Sequence, residues 1–204
     1  DDIYTLQVSI TDKANRNSTQ SITFSVNRFG STYDISSVKD LIGNYITTPR
    51  DIKIVEVNPN KLSDIKVVLF KNNDTVTLKK DTDYSVDIQG DEGTWYKYTY
   101  TISQSNFEDD GVYTITLHSK DAANNIAENT LDTKNSEISF GIDNTNPTIV
   151  VANLESGKTY AEENKSVTFM ADDNLKLDTV DVYLDSDTEI YKNWNSEEIE
   201  KLFS

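Results

Sequence analysis

The sequence has no cysteine and a single histidine, and no apolar run is long enough to span a membrane. Without cysteine the chain has no disulfide, no thiolate ligand for zinc and no thiol nucleophile. The glycines are scattered, so no phosphate-binding loop is present. The histidine, His118, takes an outward position on its strand, where we expect solvent exposure rather than catalysis. We therefore predict no catalytic, cofactor-binding or metal-binding residue and no enzyme.

Positive charge is also scarce. The chain has 19 basic and 35 acidic side chains, which gives a formal net charge of −16. This charge disfavours binding to nucleic acid and to anionic membrane surfaces. It fits a soluble, self-repelling surface protein, or one that meets divalent cations. We expect no nucleic-acid partner and no membrane insertion.

Alternation of apolar and polar side chains dominates the sequence and is clearest in residues 109–125. Tyr113, Ile115 and Leu117 occupy every second position, as in a half-buried strand. Asp109, Gly111 and Tyr113 form the pattern of a tyrosine corner, in which the tyrosine hydroxyl binds nearby backbone. The same alternation predicts an all-β fold, with strands at 2–11, 22–26, 33–35, 52–57, 65–70, 75–78, 84–88, 95–102, 112–118, 138–142, 148–151, 167–171 and 180–184 and turns at 72–74 and 90–93.

Two short helical insertions interrupt this pattern. Ser37 would cap a helical turn that carries four apolar residues at helical spacing, Val38, Leu41, Ile42 and Tyr45. Asn195 would cap a second helix, with Glu198 completing a capping box. The apolar face of this second helix is predicted to consist of Ile199, Leu202 and Phe203.

Apolar positions recur at nearly constant spacing, which indicates tandem repeats. Tyr4 and Tyr113 are 109 residues apart, whereas Tyr33 and Ile149 are 116 apart. Five positions recur at a spacing of 115, because Ile52, Leu62, Ile65, Val67 and Leu69 match Val167, Leu177, Val180, Val182 and Leu184. We therefore divide the chain into the closing hairpin of one repeat, a complete repeat and the first half of a third, at 1–29, 30–143 and 144–204.

The two half-repeats are complementary in content. A lone hairpin is at best marginally stable in water, so residues 1–27 must pack on something else. Unpaired strand edges also favour pairing with another chain. The sequence thus suggests that the two end halves pair with each other between molecules.

These landmarks resemble a known family. The order DxGxY, strand, Asp-x-Ala-Asn, closing strand and Asn-Pro linker is similar to the Big-type immunoglobulin-like repeats of bacterial surface proteins. Residues 95–121, WYKYTYTISQSNFEDDGVYTITLHSKD, are most similar to the Firmicutes versions. The resemblance covers essentially the whole chain and implies tandem immunoglobulin-like β-sandwiches. The family has Gly and then Asn after Asp-x-Ala, whereas this chain has Asn15 and Arg16 in one copy and Asn124 and Asn125 in the other.

Acidic and amide side chains at the repeat junctions raise the question of calcium, which binds six to eight such oxygens. At the second junction the candidates are Asp143, Asn144, Asn146, Asp172, Asp173 and Asn174. The equivalent loop of the middle repeat, residues 57–60, is poorer in carboxylates. The alternative is that these residues simply form turns.

Two further site hypotheses remain open. Tyr96, Tyr98 and Tyr100 share one face of a strand, and an outward strip of this kind could stack on sugars, although core packing is the commoner use. A Lys–Asn crosslink, which some bacterial surface sandwiches contain, needs an inward lysine. Lys53 alternates with inward residues and so points outward, and no other lysine is placed inward by the pattern.

The functional expectation is a non-catalytic spacer in a secreted or cell-surface bacterial protein, such as the stalk of a wall-anchored adhesin. Its partners would be neighbouring repeats of the same chain. One alternative is a module that binds a host surface protein or a glycan through its loops or an exposed strand edge. Another is an accessory domain of a carbohydrate-active enzyme.

Overall fold

The structure, a computed structural model, describes residues 1–161, 165–184 and 190–203, the last without the side chain of Phe203. Strands account for 49% of the described residues and helices for 8%, which confirms the predicted all-β class. The chain forms two compact units, Asp1–Asp143 and Asn144–Ser204.

The first unit contains twelve strands and three short 3-10 turns. The turns are Ser36–Val38, Gln104–Asn106 and Asp132–Lys134. The strands are β1 (Asp2–Thr11), β2 (Asn17–Val26), β3 (Thr32–Asp34), β4 (Tyr45–Ile46), β5 (Ile52–Asn58), β6 (Ser63–Lys71), β7 (Asp74–Thr77), β8 (Tyr84–Gln89), β9 (Tyr96–Ile102), β10 (Gly111–Lys120), β11 (Ile126–Glu128) and β12 (Ile138–Ile142).

These strands form one hairpin and two larger sheets. Strands β1 and β2 pair antiparallel, from Asp2 opposite Val26 to Thr11 opposite Asn17. One larger sheet has the order β3-β5-β9-β8. The other has the order β4-β12-β10-β6-β7, with β11 also paired to β10, and its β4 runs parallel to β12. The two larger sheets share one hydrophobic core, an arrangement compatible with a β-sandwich.

The core follows from the alternation in the sequence. In β10 the side chains of Tyr113, Ile115 and Leu117 are buried, and the intervening residues face outward. The Tyr113 hydroxyl donates a hydrogen bond of 2.7 Å to the carbonyl oxygen of Asp109, which confirms the tyrosine corner. Its ring packs edge-on against Phe107, with 5.3 Å between the centroids. This contact seals the end of the core where β10 begins.

The predicted helical turn near residue 37 is only partly correct. A 3-10 turn spans Ser36–Val38 and buries Val38, but Ile35 rather than Ser37 precedes it as the capping residue. The Ser37 hydroxyl instead donates to the carbonyl of Lys53 at 2.7 Å, and Tyr45 belongs to strand β4. Apolar spacing alone did not distinguish a continuous helix from a turn followed by a short strand.

In its described residues, the second unit has two strand pairs and one helix. Strand β13 pairs with β14, and β15 pairs with β16. Asn195 and Glu198 form the predicted capping box, because each accepts a backbone N–H bond of 3.0 Å from the other. The elements are β13 (Thr148–Val151), β14 (Phe169–Asp172), β15 (Thr179–Tyr183), β16 (Ile190–Asn195) and α1 (Ser196–Phe203).

Candidate functional site at the hairpin joint

The β1–β2 hairpin joins the rest of the first unit through the side chain of Asn27, which follows β2. Its amide nitrogen shares its two hydrogens among three side-chain oxygens: Asn58 Oδ1 at 2.9 Å, Asn60 Oδ1 at 3.0 Å and Asp121 Oδ2 at 2.8 Å. Its own Oδ1 accepts the backbone N–H of Gly30 at 3.1 Å. One side chain thus connects the hairpin to two loops of the sandwich.

Two of the acceptors are positioned by the end of β5. Asn58 continues the inward face of this strand and is fully buried. Its Oδ1 also accepts the backbone N–H of Asn60 at 2.8 Å, and its amide donates to Ser31 Oγ at 3.1 Å. The Asn60 amide returns to the hairpin by donating to Ser25 Oγ at 2.7 Å. Each polar atom in this buried place therefore has a partner, as burial requires.

The third acceptor lies in the turn between β10 and β11. Asp121 accepts the backbone N–H of Asn125 at 2.9 Å and its amide at 2.9 Å. The same amide donates to the backbone oxygen of Asn27 at 3.1 Å. Asn124 has a φ of 67°, so the prediction that asparagine adopts the left-handed conformation here is confirmed.

The hairpin turn repeats this geometry 109 residues earlier. Asp12 accepts the backbone N–H of Arg16 at 2.9 Å, and Asn15 has a φ of 62°. Arg16 Nε donates to Asp12 Oδ2 at 2.6 Å, which is the bond that the Asn125 amide makes in the other copy. These bonds, the backbone one first, hold the pKa of Asp12 below its ordinary value. Arginine thus replaces asparagine in the turn itself.

Lys134 makes a second link across the joint. Its ammonium donates to the backbone oxygens of Phe29 at 2.8 Å and Ser31 at 2.6 Å. Burial lowers the pKa of Lys134, while the negative charge of Glu56 acts in the opposite direction. The Asp1 carboxylate adds bonds to the backbone N–H groups of Arg28 and Phe29. The linker backbone is therefore held at several points.

This joint is suited to fixing an orientation. Its amide, carboxylate and ammonium groups are held by several hydrogen bonds, each of which contributes about 1 kcal/mol. The amide nitrogen of Asn27, a hydrogen-bond donor, lies where the side-chain oxygens of Asn58, Asn60 and Asp121 converge. Among the described residues, no group of three or more His, Asp or Glu side chains is placed to hold a metal ion. Calcium at the second junction stays a prediction.

A buried acid in the core was missed by the sequence reasoning. Glu56 is fully buried on the face of β5 that carries Ile54, and this alternation was the signal for its burial. Its carboxylate accepts bonds from the Tyr100 hydroxyl at 2.6 Å and from the Ser119 hydroxyl at 2.5 Å. The Tyr33 hydroxyl is buried without a hydrogen-bond partner among the described residues. Burial and the charge of Glu56 raise the pKa values of Tyr33 and Tyr100 far above normal.

The outward position predicted for His118 is confirmed, although the side chain is less exposed than expected. It faces outward, but its side chain is only 21% exposed because acidic residues flank it. Its Nδ1 lies 2.8 Å from Glu128 Oε1, and its Nε2 lies 3.5 Å from Asp64 Oδ2. The two acids come from neighbouring strands, so sequence distance concealed them.

The aromatic strip on β9 belongs to the core. Tyr98 and Tyr100 are fully buried, and Tyr96 is partly buried against the same core. The Tyr98 hydroxyl accepts a hydrogen bond of 2.7 Å from the backbone N–H of Leu62. The strip therefore cannot stack on sugars in this fold.

The positions of Lys53 and Lys134 bear on the lysine crosslink hypothesis. Lys53 is exposed, as predicted. Lys134 is part-buried, although the sequence pattern did not place it inward, and both of its bonds go to backbone oxygens. Its ammonium therefore makes hydrogen bonds where a crosslink would need an amide carbon.

No helix in the described part of the chain is long and apolar enough to cross a membrane. Comparison with protein-family models, with curated proteins and with solved structures found no match to this chain.

Proposed function

We propose that this chain is part of a tandem array of immunoglobulin-like modules that act as a non-catalytic spacer in a bacterial cell-surface or secreted protein. The observation that carries the proposal is the hydrogen bonding of Asn27 to three oxygens on two loops of the following sandwich. A spacer needs successive modules at a fixed angle, and such a joint restricts the linker.

The strand order supports the immunoglobulin-like assignment. Immunoglobulin-type sandwiches place strands A, B, E and D in one sheet and C, F and G in the other. Here the order β3-β5-β9-β8 corresponds to A-B-E-D, and the order β12-β10-β6 corresponds to G-F-C. The tyrosine corner at the start of β10 occupies the place expected for strand F.

The repeated turn supports the tandem assignment. The turn at residues 12–16 and the turn at residues 121–125 share an aspartate acceptor, a left-handed asparagine and a side-chain donor to the second carboxylate oxygen. Three such features at one spacing are more specific than strand alternation alone. The Big-type resemblance adds the cell-surface setting and the adhesin stalk as the role.

Antibody labelling of the source cells tests this function. An antibody against the chain should label intact cells, and brief treatment of intact cells with protease should remove the label. An antibody against a cytoplasmic enzyme serves as the control for cell integrity. Labelling only after permeabilisation would contradict the cell-surface spacer, although a freely secreted form would appear in the medium.

A further inference from the structure

The turn between β6 and β7 carries an asparagine in a sequence that can accept an N-linked sugar. Such acceptors have the pattern Asn-x-Ser/Thr, and Asn73-Asp74-Thr75 fits it. Lys71 pairs with Asp74, so Asn72 and Asn73 form a two-residue hairpin loop. Asn73 and Thr75 are both exposed. The acceptor asparagine therefore lies at the tip of a hairpin, where an enzyme can reach it.

The contacts of the two asparagines in this loop differ. Asn72 does not fit the acceptor pattern, because Asp74 stands two residues after it. Its Oδ1 also accepts the backbone N–H of Val112 at 3.3 Å, which ties its side chain to β10. For Asn73, no side-chain hydrogen bond occurs within the described part of the chain. The amide nitrogen of Asn73 is thus available for a new bond.

Two other acceptor sequences occur in the chain. One begins at Asn17, whose Oδ1 accepts the hydroxyl of Thr11 at 2.7 Å. Its hydroxyl residue, Thr19, lies 3.1 Å from the hydroxyl of Ser9. Both polar groups of this acceptor are therefore bound to β1, which makes it the poorer substrate. The other begins at Asn164, which lies outside the described residues.

An exposed aromatic ring lies beside the Asn73 loop. Phe70 precedes Asn73 by three residues and pairs with Thr75 across the hairpin. Side chains alternate between the faces of a strand, and Leu69 is buried whereas Phe70 is 42% exposed. Opposed side chains of antiparallel strands share a face. The loop is therefore flanked by an outward pair, the ring of Phe70 and the hydroxyl of Thr75.

We propose that Asn73 carries an N-linked sugar whose first ring packs on Phe70 and Thr75. In the transfer, Asn73 Nδ2 forms a bond to the anomeric carbon of a sugar activated as a diphosphate ester. The bond from that carbon to the diphosphate breaks, the diphosphate leaves with the electron pair, and the amide nitrogen releases one proton. The C–H groups of the sugar then meet the electron-rich face of the Phe70 ring.

The proposal rests on the proposed function, because this acceptor pattern is used in proteins that are secreted. The two can fail separately. A chain that is labelled on intact cells but lacks the sugar refutes the modification alone. A chain that carries the sugar but stays inside the cell refutes the surface spacer alone.

Mass spectrometry of the protein purified from its source cells tests the modification. Trypsin cleaves after Lys71 and Lys79, so residues 72–79 form one peptide that contains both asparagines of the loop. We expect this peptide to carry the added mass of a sugar, and fragmentation should locate it on Asn73. An unmodified peptide, or a sugar on Asn17 in its place, would overturn the proposal.

Substitution of Thr75 in the source cells tests the acceptor pattern. Thr75→Val has nearly the same shape but no hydroxyl, so the sugar should be lost. Thr75→Ser keeps the hydroxyl and is the matched control, which should keep the sugar. A Thr75→Val chain that is modified as fully as the wild type would contradict recognition of this sequence.

Thermal unfolding tests the contact with Phe70. The glycosylated protein is compared with the same chain made by cell-free translation without glycosyltransferases, and we expect the glycosylated form to melt at the higher temperature. Phe70→Ala should abolish the difference between the two forms. Ile88→Ala, at an exposed apolar position on β8, is the control and should preserve it. A difference that survives Phe70→Ala would overturn the packing of the sugar on this ring.

Discussion

The hydroxyl of Tyr113 donates to the carbonyl oxygen of Asp109, four residues earlier, at 2.7 Å. The ring of Tyr113 is fully buried between Phe107 and Phe140, and Lys71 Nζ lies 5.4 Å from its centroid. The bond therefore fixes the loop before β10 to the core of the sandwich. It also occurs where the DxGxY pattern placed it.

Removal of this hydroxyl should destabilise the sandwich. Tyr113→Phe keeps the buried ring but leaves the Asp109 carbonyl without its donor, so we expect a loss of about 1 kcal/mol in the free energy of unfolding. Urea denaturation followed by tryptophan fluorescence measures it. Tyr45→Phe, at a half-exposed ring, is the matched control and should change little. Equal stability of both variants would contradict a stabilising role for the tyrosine corner.

The buried carboxylate of Glu56 should matter more than any surface acid. Glu56→Ala leaves the hydroxyls of Tyr100 and Ser119 without their acceptor, and it opens a cavity beside them. We expect a loss of about 2–4 kcal/mol. A double-mutant cycle with Tyr100→Phe should show strong coupling, whereas Glu137→Ala at an exposed position should be nearly neutral. Additive effects in the cycle would contradict the hydrogen bond.

Alkali should unfold the first unit. Burial, followed by the charge of Glu56, raises the pKa of Tyr100 above its ordinary value of 10.0, and burial also raises those of Tyr84 and Tyr98. Above pH ~10 the folded state keeps tyrosine protons that the unfolded state releases. The free energy of unfolding therefore keeps its full value below pH ~10 and falls above it, by about 1.4 kcal/mol per pH unit for each such tyrosine. The lowered pKa of Lys134 acts in the opposite direction for one group.

Substitution of Tyr100 tests its contribution to this pH dependence. The free energy of unfolding, measured by urea denaturation, should fall less steeply with pH for Tyr100→Phe than for the wild type. The measurement covers about pH 9 to 11, the range in which an ordinary tyrosine titrates. The absolute stability of this variant is lower at neutral pH, but the slope is the relevant readout. An identical slope would show that Tyr100 titrates normally in the fold.

Gly90 should tolerate no side chain. Its φ is 107°, and a Cβ atom there would lie 2.4 Å from the backbone oxygen of Trp95. Gly90→Ala should therefore cost about 2 kcal/mol or more, because both the backbone conformation and the β8–β9 turn must change. Gly43 also has a positive φ, of 75°, but a Cβ atom there would meet no atom within 4 Å. Gly43→Ala therefore measures the conformational cost alone. Thermal unfolding of both variants gives the comparison.

Sequence alternation predicted most strands because the central strands of the sandwich have one buried face, although β7 is exposed throughout. It placed the buried residues of β10 correctly, along with the capping box of α1. Short elements such as β4 were missed because two residues carry no periodicity. Contacts between distant segments, such as those of Asn27 with Asn58 and Asp121, depend on the tertiary fold. Asn27 was not recognised from the sequence, because no local pattern marks a side chain that contacts two distant loops.

A distance distribution between two spin labels measures the stiffness of the joint between the hairpin and the sandwich. Cysteines at Ser9, on the hairpin, and Ser85, on β8, would carry the labels, with labelled chain diluted in unlabelled chain. We predict a narrow distribution that broadens in Asn27→Ala, which removes the three amide bonds. Asn73→Ala, in an exposed turn, should leave it narrow. A wild-type distribution as broad as that of Asn27→Ala would contradict a rigid spacer.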